Sequence, residues 1–160
     1  MPRALYRSQQ FLHALRPRPD PDALGLARSL LGDAQGRLFF AMERRDQRHA
    51  LAVLRQLRRR GVDDRDLLIA ALLHDCGKGA VPVWLRVLYV LAPAAVGRFA
   101  AGGDSGVPAA AYRLVNHAEL GARLAEEAGC SPTTVRLIAG RALPEERSRA
   151  ALLRAADDAS

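Results

Sequence analysis

The residues that could do chemistry are few and sit in unusual company. His74 and Asp75 are adjacent at the end of the most hydrophobic segment of the chain, Leu67 to Leu73. An imidazole and a carboxylate placed there without partners would cost several kcal/mol of desolvation, so something must satisfy them. A second imidazole, His49, shares one face of the preceding helix with Val53 and Leu57, and Asp157 follows Leu153 by four residues and so shares its inward face. One such residue on an apolar face is explained by a hydrogen bond to a neighbouring helix. Two imidazoles and two carboxylates converging in an apolar bundle instead make a mixed nitrogen and oxygen site suited to a divalent transition metal.

The elements that must position these residues are expected to be helices. Ala4 to Arg16 reads as a helix, stopped by Pro17, Pro19 and Pro21, with Asp20 and Pro21 starting another that ends near Gly32. Asp33 to Arg44 follows, with Leu38, Phe39 and Met42 as its apolar face, then Asp46 to Arg60, stopped by Gly61. Asp63 and Asp66 bracket the start of the Leu67 to Leu73 helix, whose seven consecutive apolar residues imply burial on all sides. Gly102 to Gly106 is expected to be a loop, Pro108 to Ala128 a long helix closed by Gly129, and Ser131 with Pro132, then Pro144 with Glu145 and Glu146, open the last two helices. No strand pattern or internal repeat is visible. The fold class is therefore all-α, a compact helical bundle.

Composition agrees. The 160 residues fit one domain, and 49% hydrophobic against 26% charged residues are enough for a core; with only 5% aromatic residues that core must be mostly aliphatic. Cys76 and Cys130 are too few for a disulfide framework, and Met1 to Asp20 lacks the apolar run of an export signal, so a cytoplasmic setting is expected. Cys76 reads as a small buried residue rather than a nucleophile, and His13 as a surface residue. The stretch from Val81 to Ala101 is apolar, but Arg86 and Arg98 interrupt it and Pro82 and Pro93 divide it into pieces shorter than the ~20 residues of a membrane span. It is read as an amphipathic segment covering the bundle or lying on a partner, with Trp84 and Tyr89 as core residues.

The net charge is +7, and every basic residue except Lys78 is arginine. Guanidinium groups bind phosphate in two-pronged fashion, although the run Arg55, Arg58, Arg59 and Arg60 is most simply a solvated helix face. Nucleic acid is not the expected partner.

The order of these residues resembles the HD-domain metal-dependent phosphohydrolases, whose signature is a histidine, a later His-Asp doublet and a final aspartate. His49 stands in "DQRHALAVL", His74 and Asp75 in "LLHDCGK", and Asp157 in "LLRAADDAS", with 25 positions from His49 to His74. The subtype resembles the branch with His-Asp-x-Gly-Lys and a later His-x-x-x-Gly, here His117 and Gly121, and is unlike the cyclic-dinucleotide subfamily, whose Gly-Tyr-Pro hallmark is missing after Lys78. Relatives of that branch carry His-His pairs where this chain has Arg141 with Ala142, and Asn116 with His117. In that branch extra histidines can bind a second metal, so the resemblance implies a divalent ion, whether manganese, iron, cobalt, nickel or zinc, and this departure from it favours one ion over two.

It further implies an HD core over residues 46–160 with an N-terminal helical extension over 1–45, together one domain, and hydrolysis of a small phosphorylated molecule, a nucleotide among the candidates. The metal ligands would be His49, His74, Asp75 and Asp157. Asp75 and Lys78 would be catalytic, and Lys78, His117, Arg48 and Arg45 would contact substrate. Two rival readings stand beside it: a degenerate HD domain that senses or scaffolds without turnover, and a basic helical module that binds nucleic acid or an anionic membrane surface.

Overall fold

Seven apolar residues in succession cannot be satisfied by a one-sided helix, and the structure, a computed structural model describing residues 21–100 and 105–160, wraps them completely. Going along the chain, the helices are α1 (Pro21–Leu30), α2 (Asp33–Ala41), α3 (Arg44–Arg59), α4 (Arg65–Leu73), α5 (Val83–Leu91), α6 (Pro93–Phe99), α7 (Gly106–Glu127), α8 (Pro132–Ile138) and α9 (Arg147–Asp157), the last preceded by a single 3-10 turn at Pro144–Glu146. No strand occurs among the described residues. The all-α expectation is met. The expected Ala4 to Arg16 helix and His13 lie outside the described residues, as does most of the Gly102 to Gly106 loop, of which Gly106 opens α7.

Helix α4 is the centre. Leu67 to Leu73 are each at most 5% exposed, enclosed by α3, α8 and α9 with α1 and α2 alongside. Complete burial of a leucine is worth roughly 1.5–3 kcal/mol, so this segment anchors the fold and fixes where His74 emerges. Its N-terminus is capped by Asp64, which accepts from Leu67 N–H at 3.0 Å, and not by Asp63. Asp63 is instead exposed and pairs with Arg58. Asp66 lies in the first turn as expected, but its carboxylate accepts from Ser131 at 2.7 Å and so ties α4 to α8.

Helix α3 begins two residues before the expected Asp46, and its last turn is closed at Gly61, whose φ of +75° favours a residue without a Cβ. Arg58, Arg59 and Arg60 form an exposed end, as expected of a solvated run. Proline divides the apolar stretch as the sequence implies: Pro93 takes the first turn of α6, and α5 and α6 form a hairpin. This hairpin rests on α7 through a second, smaller core of Val81, Leu85, Val96, Ala110, Ala111 and Leu114. Tyr89 is partly buried against it, but Trp84 is not a core residue, being 55% exposed. The inner face of the hairpin is filled by Leu85 and Leu88, which leaves the indole on the outside. No helix among the described residues is long and apolar enough to cross a membrane.

Candidate metal centre

The centre forms where α4 ends. His74 is the C-cap of α4, and its Nδ1–H donates to Ala71 O at 3.0 Å; a carbonyl can only accept, so this bond fixes the ring with Nε2 directed away from the helix. His49 from α3 meets His74 edge-on with ring centroids 5.3 Å apart. Asp157, the last residue of α9, accepts from His49 Nε2 at 2.7 Å, and its same oxygen lies 3.5 Å from His74 Nε2. One ligand atom from each of His49, His74 and Asp157 falls within 4.8 Å of the others. Residues 108 positions apart, His49 and Asp157, are thus brought into direct contact.

Asp75 joins this group through its neighbours. It is 2% exposed, with Oδ1 at 3.5 Å from His74 Nε2 and Oδ2 accepting from Lys78 Nζ at 2.5 Å. His117 on α7 approaches from the other side, with Nε2 at 4.0 Å from Asp75 Oδ1, while its Nδ1–H donates to Leu114 O at 2.8 Å.

The electrostatics are strongly coupled. Burial would keep His74 neutral, but the carboxylates of Asp75 and Asp157 outweigh it and raise its pKa to about 9. Burial also opposes the charge of Asp75 and of Asp157, yet His74 and Lys78 for the first, and His49 and His74 for the second, hold both carboxyls well below the usual range. Burial and the Lys78 ammonium push His117 downward, which favours a neutral ring.

One atom shows what this arrangement can hold. His74 Nε2 is buried and makes no hydrogen bond, although two carboxylate oxygens stand 3.5 Å away. A buried polar atom without a partner is costly, and anionic oxygens around an imidazole nitrogen are the donor set of a divalent cation. His49, His74 and Asp157, with Asp75 beside them, therefore fit a metal ion.

Arg45 and Arg48 are placed elsewhere. They line a cleft of about 890 Å³ with Arg44, Glu43, Arg113 and the segment Ala80 to Val83. The cleft adjoins the centre through the loop after Lys78: Arg113, one helical turn before His117, donates to Ala80 O at 2.9 Å and flanks Gly79. Arg113 was not singled out by sequence, although its spacing of four from His117 places both on one face of α7. Equally unannounced is Arg86, which grips the buried Asp46 with two bonds of 2.8 Å and Glu43 at 3.1 Å, locking α5 to the start of α3. Cys76 is buried, and burial pushes its thiol up to about 12, which agrees with a packing role.

Comparison with curated proteins and with solved structures returned no match. A family profile described as HD domain matches residues 47–159, a span that contains His49, the His74 and Asp75 doublet, His117 and Asp157. That span is most of the chain, and the chain belongs to the HD-domain family.

Proposed function

We propose that this chain is a metal-dependent phosphohydrolase that cleaves a phosphoester of a small phosphorylated molecule, nucleotides being the first class to test. The observation that carries the reading is the buried, unbonded His74 Nε2 facing two carboxylates and a second imidazole. His49, His74, Asp75 and Asp157 would hold one divalent transition ion, manganese, iron, cobalt, nickel or zinc. When bound, such an ion supplies Lewis acidity toward a phosphoryl oxygen and acidifies water at the site.

The chain's own residues do the rest. Lys78 holds one oxygen of Asp75, which aims the other toward the centre, so Asp75 both ligates and orients water. The Lys78 ammonium then stands next to the centre as the cation that offsets charge gathering on the phosphoryl oxygens. His117, fixed in one tautomer by Leu114 O, presents its Nε2 lone pair to the same space and can take up a proton. Arg45 and Arg48 bind the non-reacting part of the substrate in the adjoining cleft, which Arg113 also lines.

The test is elemental analysis of purified protein followed by a screen of nucleotides and general phosphoesters with each metal. About one ion per chain and turnover with at least one metal are expected. Asp75→Ala should abolish turnover; if wild-type protein retains metal yet turns over nothing, the domain binds rather than hydrolyses, and if no metal is retained the reading fails entirely.

A further inference from the structure

The α5–α6 hairpin is apolar on two opposite sides. Inward, Leu85 is 1% exposed and Val96 fully buried against α7. Outward, Val83, Trp84, Val87, Val90 and Leu91 are 40–75% exposed, and Phe99 at the end of α6 is 60% exposed. The spacings 83, 87, 90 and 84, 87, 91 place these side chains on one side of α5. Single exposed apolar residues are ordinary on a protein surface, whereas a group of six on one hairpin marks an interaction surface.

Charge identifies the partner. Val83 to Phe99 contains no carboxylate, and of its two arginines Arg86 is turned onto Asp46 while Arg98 is exposed. The arginine cleft begins where the apolar face does: Pro82, Val83 and Val107 line it together with Arg44, Arg45, Arg48 and Arg113, and Glu43 is the one carboxylate among its lining residues. A second copy of the chain would bring the same net charge of +7 against this cleft. An anionic lipid leaflet is the complementary surface, negative at the headgroups and apolar beneath them. With nine residues in α5 and seven in α6, the hairpin can lie in that interface but not cross it.

We propose that the α5–α6 hairpin docks the protein on an anionic membrane surface, with Trp84, Val87 and Leu91 at the boundary between headgroups and acyl chains and the exposed Arg44, at the rim of the cleft, and Arg98 against lipid phosphates. An indole suits that depth, apolar in its body and able to donate one hydrogen bond. The proposal is independent of hydrolysis.

Trp84 is the chain's single tryptophan, so its emission reports on this face without a label. The full-length protein is mixed with phosphatidylcholine vesicles with and without phosphatidylglycerol. Expected are a blue shift and quenching by brominated acyl chains with the anionic vesicles, both reversed by salt. Leu91→Glu should weaken vesicle binding about tenfold or more, from the lost burial of one leucine. Should that variant not fold by circular dichroism, Arg98→Glu tests the electrostatic half and should also weaken binding. Absence of a shift with anionic vesicles, equal binding to neutral ones, or wild-type binding by a folded Leu91→Glu overturns the proposal. So does a lipid-free Trp84 that acrylamide cannot quench, because the face is then covered already, with sedimentation equilibrium distinguishing a second copy from a segment of the same chain.

Discussion

A Cβ placed on Gly77 would lie 2.1 Å from the main-chain oxygen of His117 and 2.5 Å from the amide nitrogen of Gly121. The turn after Asp75 therefore sits directly on the backbone of α7, and this contact is what brings His117 to 4.0 Å from Asp75. The glycines of the two short motifs, His-Asp-x-Gly-Lys and His-x-x-x-Gly, meet one another: a Cβ placed on Gly121 would in turn lie 3.3 Å from Gly77 N and 3.4 Å from Cys76 Sγ.

Gly77→Ala should consequently force α7 off the turn. The obstructing atoms are main chain and cannot swing aside, so the cost should reach the ~1–3 kcal/mol of an overpacked core or exceed it. Activity should fall as His117 withdraws from Asp75. Gly121→Ala meets its neighbours at 3.3–3.4 Å and should cost less. Urea unfolding of both variants checks the ranking, and a Gly77→Ala protein as stable as wild type would show that the contact is not made.

Asp157 is the ligand candidate supplied by the far end of the chain, and replacing it with asparagine keeps its size while removing its charge. Its oxygen accepts from His49 Nε2 at 2.7 Å, and a cation held by both side chains would take the place of that proton. Asp157→Asn should weaken metal binding by more than the ~10–100-fold that follows loss of a group merely supporting a ligand. Competition with a chromophoric chelator measures this, and unchanged affinity would remove Asp157 from the centre.

The Arg86–Asp46 pair joins the hairpin to the bundle. Asp46 is 4% exposed, so Arg86→Met leaves a buried carboxylate without its partner, a change that typically costs 3–5 kcal/mol. The double variant Asp46→Leu, Arg86→Met removes both charges and should recover much of that loss. Denaturant midpoints of the single and double variants decide it: additive losses would mean that the pair is not coupled.

Much of this was legible in the sequence, for identifiable reasons. The apolar run from Leu67 to Leu73 could only be central, and proline and glycine mark the helix ends at Pro93, Pro132, Gly61 and Gly129 because their backbone restrictions act locally. The meeting of His49, His74 and Asp157 followed from polar residues on faces that had to point inward. Trp84 was misjudged because an outward apolar face and a core face have the same composition; only the packing of Leu85 and Val96 against α7 tells them apart. Arg86 and Asp46 are 40 residues apart, and no local pattern links them. Asp64 rather than Asp63 is the cap because the register of α4 is set by its burial, which three aspartates within four positions, Asp63, Asp64 and Asp66, cannot reveal.

Glu146 gives a prediction in pH. It is buried at the start of α9, accepts two bonds from Arg136 at 2.5 and 3.1 Å and one from Leu143 N–H at 3.0 Å. The Arg136 bonds, and then the Leu143 amide, hold its pKa at about 2, below the ~4.3 of a glutamate in an unfolded chain. With the folded value depressed, the unfolded state binds the proton first as pH falls, so the contribution to stability is complete above about pH 4.3 and is lost progressively from there toward pH 2. Glu146→Gln should therefore be less stable than wild type near neutrality and lose less on acidification through that window. Urea midpoints for both proteins at about pH 7 and about pH 3 provide the comparison. The same ion pair ties the turn that opens α9, the helix ending in Asp157, to α8. Parallel acid profiles for the two proteins would show that the Arg136–Glu146 pair does not stabilise this junction.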